Sequence, residues 1–197
     1  MMKTWRYRTA GIPDELFIRG SVPMTKEEVR AVIISKLRLN DDYIIYDIGA
    51  GTGSISIEAA SQAVTGKVYA IERNEEGIEL IKKNASKFEL DNIKIICGQA
   101  PKSLIDLPAP DRVVIGGSGG YLKQILSTVD SRIKQDGRII ITAVTINTLS
   151  STLTELERRY YQLDICNIAV TRTRKVSDYH MFQAQNPIYI ISAEKKR

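Results

Sequence analysis

The sequence predicts an α/β fold: a doubly wound, mostly parallel, seven-stranded sheet with helices on both faces and its last strand antiparallel. Three observations lead there. Short apolar runs alternate with amphipathic helical stretches, the pattern of strands buried on both faces and joined by crossover helices. A glycine loop, Asp47-Ile48-Gly49-Ala50-Gly51-Thr52-Gly53, follows the first apolar run and opens a helix, the junction at which doubly wound sheets bind ligands. The last two strands are joined without a crossover helix, which permits an antiparallel pair.

The elements follow in order. Residues 1–24 form an irregular arm punctuated by Gly11, Pro13, Gly20 and Pro23. Thr25 opens a helix in a capping-box pair with Glu28, and Val29, Val32, Ile33 and Leu37 follow at helical spacing. Residues 43–48 are the first strand and 54–64 the next helix. Residues 67–72 are the second strand, after which Asn74 caps a helix whose Ile78, Ile81, Ala85 and Phe88 share a face. The third strand is 93–97, with a short helix near 101–106. The fourth is 111–115, and a helix over 121–133 leads to the fifth, 138–144. A helix near 148–161 precedes strands near 163–170 and 187–193, with the segment 171–186 between them. The whole chain, 1–197, reads as one domain.

Composition narrows the class. Hydrophobic residues at 43% and charged residues at 26% give a globular chain able to bury a core without disulfides. No apolar run reaches the roughly 18 residues of a transmembrane helix, and residues 1–8 lack the apolar run of a secretory signal, so a cytoplasmic protein is expected. Cys97 and Cys166 stand far apart in apolar strands and read as buried free thiols, with no metal site expected. The net charge of +5 gathers at Lys3, Arg6 and Arg8, at Arg158 and Arg159, at Arg172, Arg174 and Lys175, and in a solvated tail at Lys195, Lys196 and Arg197. It favours an anionic partner, nucleic acid or polycarboxylate. His180, beside Tyr179, Met181 and Phe182, reads as a packing or surface residue, and Trp5 as a packing residue of the arm.

The glycine loop carries the chemistry. Its glycines let a ligand approach the main chain, and Glu72, about 20 residues on at the end of the second strand, is placed to accept hydrogen bonds from ribose hydroxyls. Together they point to an adenosine-containing cofactor. The spacing is GxGxG rather than the dinucleotide GxGxxG, with Asp47 two residues before the first glycine. That arrangement resembles motif I of the class I methyltransferases and implies S-adenosyl-L-methionine; a dehydrogenase is the alternative. Asp47 is equally suited to tying down the loop backbone. In methyltransferases the turn Gly98-Gln99-Ala100-Pro101 lies against the adenine, with Gln99 where an Asp often stands. Beyond the fourth strand, Gly116-Gly117-Ser118-Gly119-Gly120 leaves the backbone bare where the transferable methyl sits. The Asn/Asp-Pro-Pro-aromatic motif of enzymes that methylate base amino groups is absent there. Bare backbone suits a carboxylate or a flat, bulky substrate instead.

Taken together, Gly11-Ile12-Pro13-Asp14, Val22-Pro23-Met24-Thr25, residues 47–53, Ala100-Pro101, Pro110-Asp111-Arg112, residues 115–120 and Asn186-Pro187 resemble the decarboxylating cobalt-precorrin-6B methyltransferase family, also called precorrin-8w decarboxylase, of cobalamin biosynthesis. The resemblance covers nearly the whole chain. It implies methylation of carbon 15 of the corrin precursor, cobalt-precorrin-6B to cobalt-precorrin-7, with decarboxylation of the ring C acetate. It further implies the anaerobic route, in which the domain stands alone, and a homotetramer. By the same resemblance Thr25, Gly49, Ala50, Gly51, Thr52, Gly53, Glu72 and Ala100 meet the cofactor, and Asp47 and Gln99 occupy its neighbouring motif positions. Gly116, Gly117, Ser118, Gly119 and Gly120 are the expected substrate floor; no catalytic acid or base stands out. Gln99 for Asp, and Asn147 for a frequent Glu, depart from the pattern. A polycarboxylate substrate agrees with the positive charge, and the absent base-holding motif argues against nucleic acid. The rivals are a tRNA methyltransferase and a non-catalytic module binding adenosylmethionine or RNA.

Overall fold

The computed structural model describes residues 4–195; Lys3, Lys196 and Arg197, and with them most of the basic tail, lie outside the described residues. The strands are β1 (Ile44–Ile48), β2 (Lys67–Glu72), β3 (Ile93–Cys97), β4 (Arg112–Ile115), β5 (Arg138–Ala143), β6 (Tyr161–Ile168), β7 (Thr171–Val176), β8 (Tyr179–Ala184) and β9 (Ile188–Lys195). Seven form one sheet in the order β3-β2-β1-β4-β5-β9-β6. The first five run parallel, and β9 is inserted antiparallel between β5 and β6. The predicted seven-stranded sheet with an antiparallel last strand is what forms.

Alternation along each strand builds two cores. Tyr46, Ile48, Ile71, Val113 and Ile115 face α4 (Leu122–Asp130) and α5 (Ile146–Glu157), through Ile125, Leu126 and Leu156. Ile45, Val68, Val114 and Ile140 face α1 (Glu27–Leu37) and α2 (Ser54–Gln62), through Val29, Ile33, Leu37 and Ala59. Apolar side chains on both faces are why these strands read as continuous hydrophobic runs. α3 (Glu75–Lys87) is capped as expected: the Gly77 amide donates to the Asn74 side chain at 3.2 Å. Its Phe88 end joins Ile12, Phe17 and Ile57 in a third cluster, against which Trp5 packs.

The N-terminal arm is fastened by buried charge. Arg30 is fully buried; its Nε donates to Glu58 at 2.6 Å and its Nη1 to Asp14 at 3.2 Å. Glu58 also accepts from the amides of Gly11 and Ile12, at 2.9 and 3.0 Å. Each charge thus has partners that offset its desolvation. Arg30 also donates to the carbonyls of Thr25 and Ile12, so the residues around Thr25 are held over the carboxyl edge of the sheet. The Gly11-Ile12-Pro13-Asp14 motif is part of this lock. Pro110-Asp111-Arg112 works at the opposite edge, where Asp111 accepts from the Ile44 amide at 2.8 Å and Arg112 donates to the Leu37 carbonyl at 2.6 Å.

Two expectations are corrected, the cap of the first helix and the burial of the thiols, and the unassigned segment before the last strand gains a structure. The Thr25–Glu28 capping box does not form: α1 begins at Glu27 with Lys26 at its N-cap and no side-chain cap. Arg172 has taken the Glu28 carboxylate instead, at 2.7 Å. The segment 171–186 is a hairpin, β7 paired with β8 outside the main sheet, its tight turn using Ser177 at φ 54°. Both of its faces are largely exposed, so burial imposes no pattern that a sequence would display. The thiols are not buried: Cys97 is exposed and Cys166 half-buried, because β3 and β6 are the two edge strands. Trp5 does pack, edge-on to Tyr7, and His180 lies exposed on β8. Among the described residues no helix is long and apolar enough to cross a membrane.

Candidate active site at the carboxyl edge of the sheet

β1 lies between β2 and β4, so the chain leaves it to one side for β2 and β3 and returns on the other for β4 and β5. Such a reversal opens a crevice at the strands' carboxyl ends, and both glycine segments emerge there. Their amides are turned back onto the sheet: Gly49 and Ala50 donate to the Ile71 carbonyl at 2.9 and 3.1 Å, and Gly116 and Gly117 to the Ile48 carbonyl at 3.0 and 3.2 Å. The two segments touch. A Cβ on Gly49, which has φ 73°, would stand 2.6 Å from the Gly117 carbonyl oxygen. Gly53 serves packing, since a Cβ there would meet Ile81 Cγ1 of α3 at 2.9 Å.

Glu72 ends β2 and is buried. One carboxylate oxygen accepts from the Gly51 amide, the other from the amides of Arg73 and Asn74, all at 2.8 Å. The acid is thereby fixed in direction and clasps the glycine loop. Asp47 lies beneath that loop, 1% exposed. It accepts from Ser56 Oγ at 2.6 Å, its other oxygen has no partner, and burial, aided by the charge of Glu72, pushes its pKa up to about 6.

Two adjoining cavities occupy the crevice. The first, about 270 Å³, is lined by Gly49, Gly51, Glu72, Gln99 and Ala100, with Gly116, Gly117, Ser118 and Gly119 as its far wall. The second, about 280 Å³, lies on the α1 and β5 side and takes in Thr25, Ala50 and Thr52; Pro23, Gly49, Gly51 and Gly116 border both. Asp47, Gly53 and Gly120 line neither. Asn147 is exposed in the first turn of α5.

The structure adds residues the sequence reading did not assign to the site. Val22, Pro23 and Met24 bring the arm into the lining; their place in the family motif was the available signal. Arg73 enters the first cavity, and its Nη1 and the Gln99 Nε2 each lie 3.3 Å from where a Cβ on Gly119 would stand. Thr142 and Val144 reach the second cavity from the carboxyl end of β5 and just beyond it, and Ile188 from the start of β9, the last brought there by antiparallel pairing that no local motif announces.

The residues present fit an adenosine-bearing cofactor. The floor is bare backbone, a carboxylate is held at one end, and Thr52 Oγ1 and Gln99 Nε2, of residues that line the cavities, are buried without a partner, as donors and acceptors around a polar ligand would be.

Strand order, antiparallel β9 and the switch-point loop together make this the Rossmann-like α/β fold of the S-adenosylmethionine-dependent methyltransferases. More narrowly, the chain belongs to the precorrin methyltransferase family, whose domain matches residues 15–195. It is 41% identical over 191 residues, 95% of this chain and 99% of the relative, to a probable cobalt-precorrin-6B C(15)-methyltransferase (decarboxylating) of Sulfurisphaera tokodaii. The crystal structure of a precorrin-6y C5,15-methyltransferase from Geobacter metallireducens superposes with a TM-score of 0.91 at 44% identity, covering 96% of this chain and all of that one. That of a precorrin 8w decarboxylase from Methanobacterium thermoautotrophicum gives 0.88 at 34%, covering 92% and 98%.

Proposed function

We propose that this protein methylates carbon 15 of cobalt-precorrin-6B from S-adenosyl-L-methionine and releases the carboxyl group of the ring C acetate as carbon dioxide, giving cobalt-precorrin-7 in anaerobic cobalamin biosynthesis. The observation that carries this reading is the bare glycine segment 116–119 walling the same cavity that Glu72 and Gln99 line. Bound there, the cofactor supplies an electrophilic sulfonium methyl. Glu72, aimed by three backbone amides, keeps one lone pair, on the oxygen that accepts from Gly51, for a ribose hydroxyl. The unpaired Gln99 Nε2 would meet the adenine of a bound cofactor, and Thr25, Ala50 and Thr52 would border its opposite end. Asp47 supports the loop from beneath.

Gly116, Gly117, Ser118 and Gly119 leave room for a flat macrocycle to lie close to the methyl, and Gly120 continues that surface outward. The conjugated ring carbon is the nucleophile, so no lining side chain has to remove a proton first, and positioning supplies the acceleration. As carbon dioxide leaves, the electron pair of the breaking carbon–carbon bond passes into the conjugated ring. Val144 and Ile188, which line the second cavity, keep that side apolar.

The proposal includes a cytoplasmic enzyme acting as one domain over 1–197 and a homotetramer; light scattering at micromolar concentration tests the last, and a clean monomer peak overturns it. The activity is tested by incubating the protein with labelled adenosylmethionine and cobalt-precorrin-6B and weighing the product. One methyl gained and one carbon dioxide lost is the expected result. No gained methyl, or a methyl gained with the acetate retained, refutes the reading as stated.

A further inference from the structure

A third cavity, about 440 Å³, lies between the start of α1 and the β7–β8 hairpin. Lys26, Arg172, Gln183, Gln185, Asn186 and Ile188 line it. That is two cations, three primary amides, one apolar side chain and no carboxylate. It adjoins the second cavity of the crevice: Ile188 lines both, and Lys26 directly follows Thr25, which lines that second cavity. Arg172 and Gln183 are register partners across the hairpin and present themselves to the groove together.

The guanidinium of Arg172 is held in place rather than free to swing. Its Nε donates to Glu28 at 2.7 Å and its Nη2 to Glu27 at 3.3 Å. This leaves Nη1 without a hydrogen-bond partner among the described residues. Lys26 stands 3.8 Å from Asp14, a loose pairing for an ammonium that has three hydrogens to donate. The two glutamates behind Arg172 offset its charge in full and Asp14 that of Lys26, so what the groove offers a carboxylate is directed hydrogen bonds from amides, an ammonium and a fixed guanidinium rather than a positive field.

We infer that this hairpin groove is a substrate subsite that grips a carboxylate side arm of the tetrapyrrole while the ring crosses Ile188 toward the cofactor crevice. The inference rests on the proposed substrate class and specifies where that substrate is held. It gives the hairpin, which lies outside the main sheet, a part in the site.

The test uses uroporphyrin, a tetrapyrrole rich in carboxylate arms, titrated by fluorescence into protein loaded with S-adenosylhomocysteine. Lys26→Met and Arg172→Gln should each weaken binding about tenfold, the loss of one charge-assisted hydrogen bond, while S-adenosylhomocysteine affinity stays unchanged. Lys175→Gln, which removes the same charge from the hairpin outside the groove lining, should alter binding by less than about twofold, as screening of a remote surface charge allows. Equal losses in all three variants, unaltered binding in folded Lys26→Met, or no binding by the wild type would overturn the subsite. Porphyrin binding that depends on the groove, together with failure to methylate cobalt-precorrin-6B, would refute the proposed activity and leave the groove standing.

Discussion

Asp47 carries a buried carboxylate with a single hydrogen-bond donor, Ser56, on one of its two oxygens. Burial raises its pKa to about 6, above the ordinary value near 4. The folded chain therefore binds this proton more tightly than the unfolded chain does. The resulting stability is complete below about pH 4 and is lost as pH rises through about 6. Urea unfolding of the wild type across that window should show this fall, and Asp47→Asn, neutral throughout, should flatten it; parallel slopes would sink the assignment. Glu72 is the opposite case, a carboxylate with three backbone donors. Glu72→Ala should weaken adenosylmethionine binding by about 1.5–3 kcal/mol, the range for charged hydrogen bonds. Calorimetry giving unchanged affinity would remove Glu72 from the site. Its type and place were legible as the acid ending a strand after a glycine loop. That it also clasps the Gly51 amide was not, because the contact joins two loops whose approach depends on strand pairing.

At the scale of elements, the loops after β1 and β4 act as one surface. Gly117 is not in the left-handed region, and a Cβ there would meet Gly49 Cα at an ordinary 3.7 Å. Gly117→Val should therefore fold, with a melting temperature near that of the wild type, and bind adenosylmethionine. It should lose methyl transfer by on the order of 100-fold, as for misplaced reactants. A folded Gly117→Val enzyme with normal turnover would show that the macrocycle lies elsewhere. The contrast is Gly49→Ala, which meets the Gly117 backbone at 2.6 Å and should lower the melting temperature itself. The glycine run was visible in the sequence as an unusual composition. Which of its members tolerate a side chain depends on φ and on the facing loop, and only the paired strands set those.

For the molecule as a whole, the net charge of +5 and a polycarboxylate substrate make capture of the substrate electrostatic. Raising salt from about 50 to about 500 mM shortens the screening length severalfold. The KM for cobalt-precorrin-6B should rise markedly and that for adenosylmethionine, a compact ligand held in a preformed crevice, much less. Equal insensitivity of both would mean that charge plays no part in recruitment.

Local sequence patterns suffice for the alternation of five parallel strands with their helices, the switch-point loop, the acid at the end of β2 and the Asn74 cap. Each is written locally, as two-sided burial, a glycine spacing or a capping side chain. Tertiary structure alone decided the insertion of β9 between β5 and β6, the exposure of Cys97 on an edge strand, the pairing of Arg172 with Glu28 in place of the predicted cap and the hairpin groove beside α1. These rest on contacts between residues far apart in the chain. A local pattern records what one segment buries, and it carries no record of which distant segment does the burying.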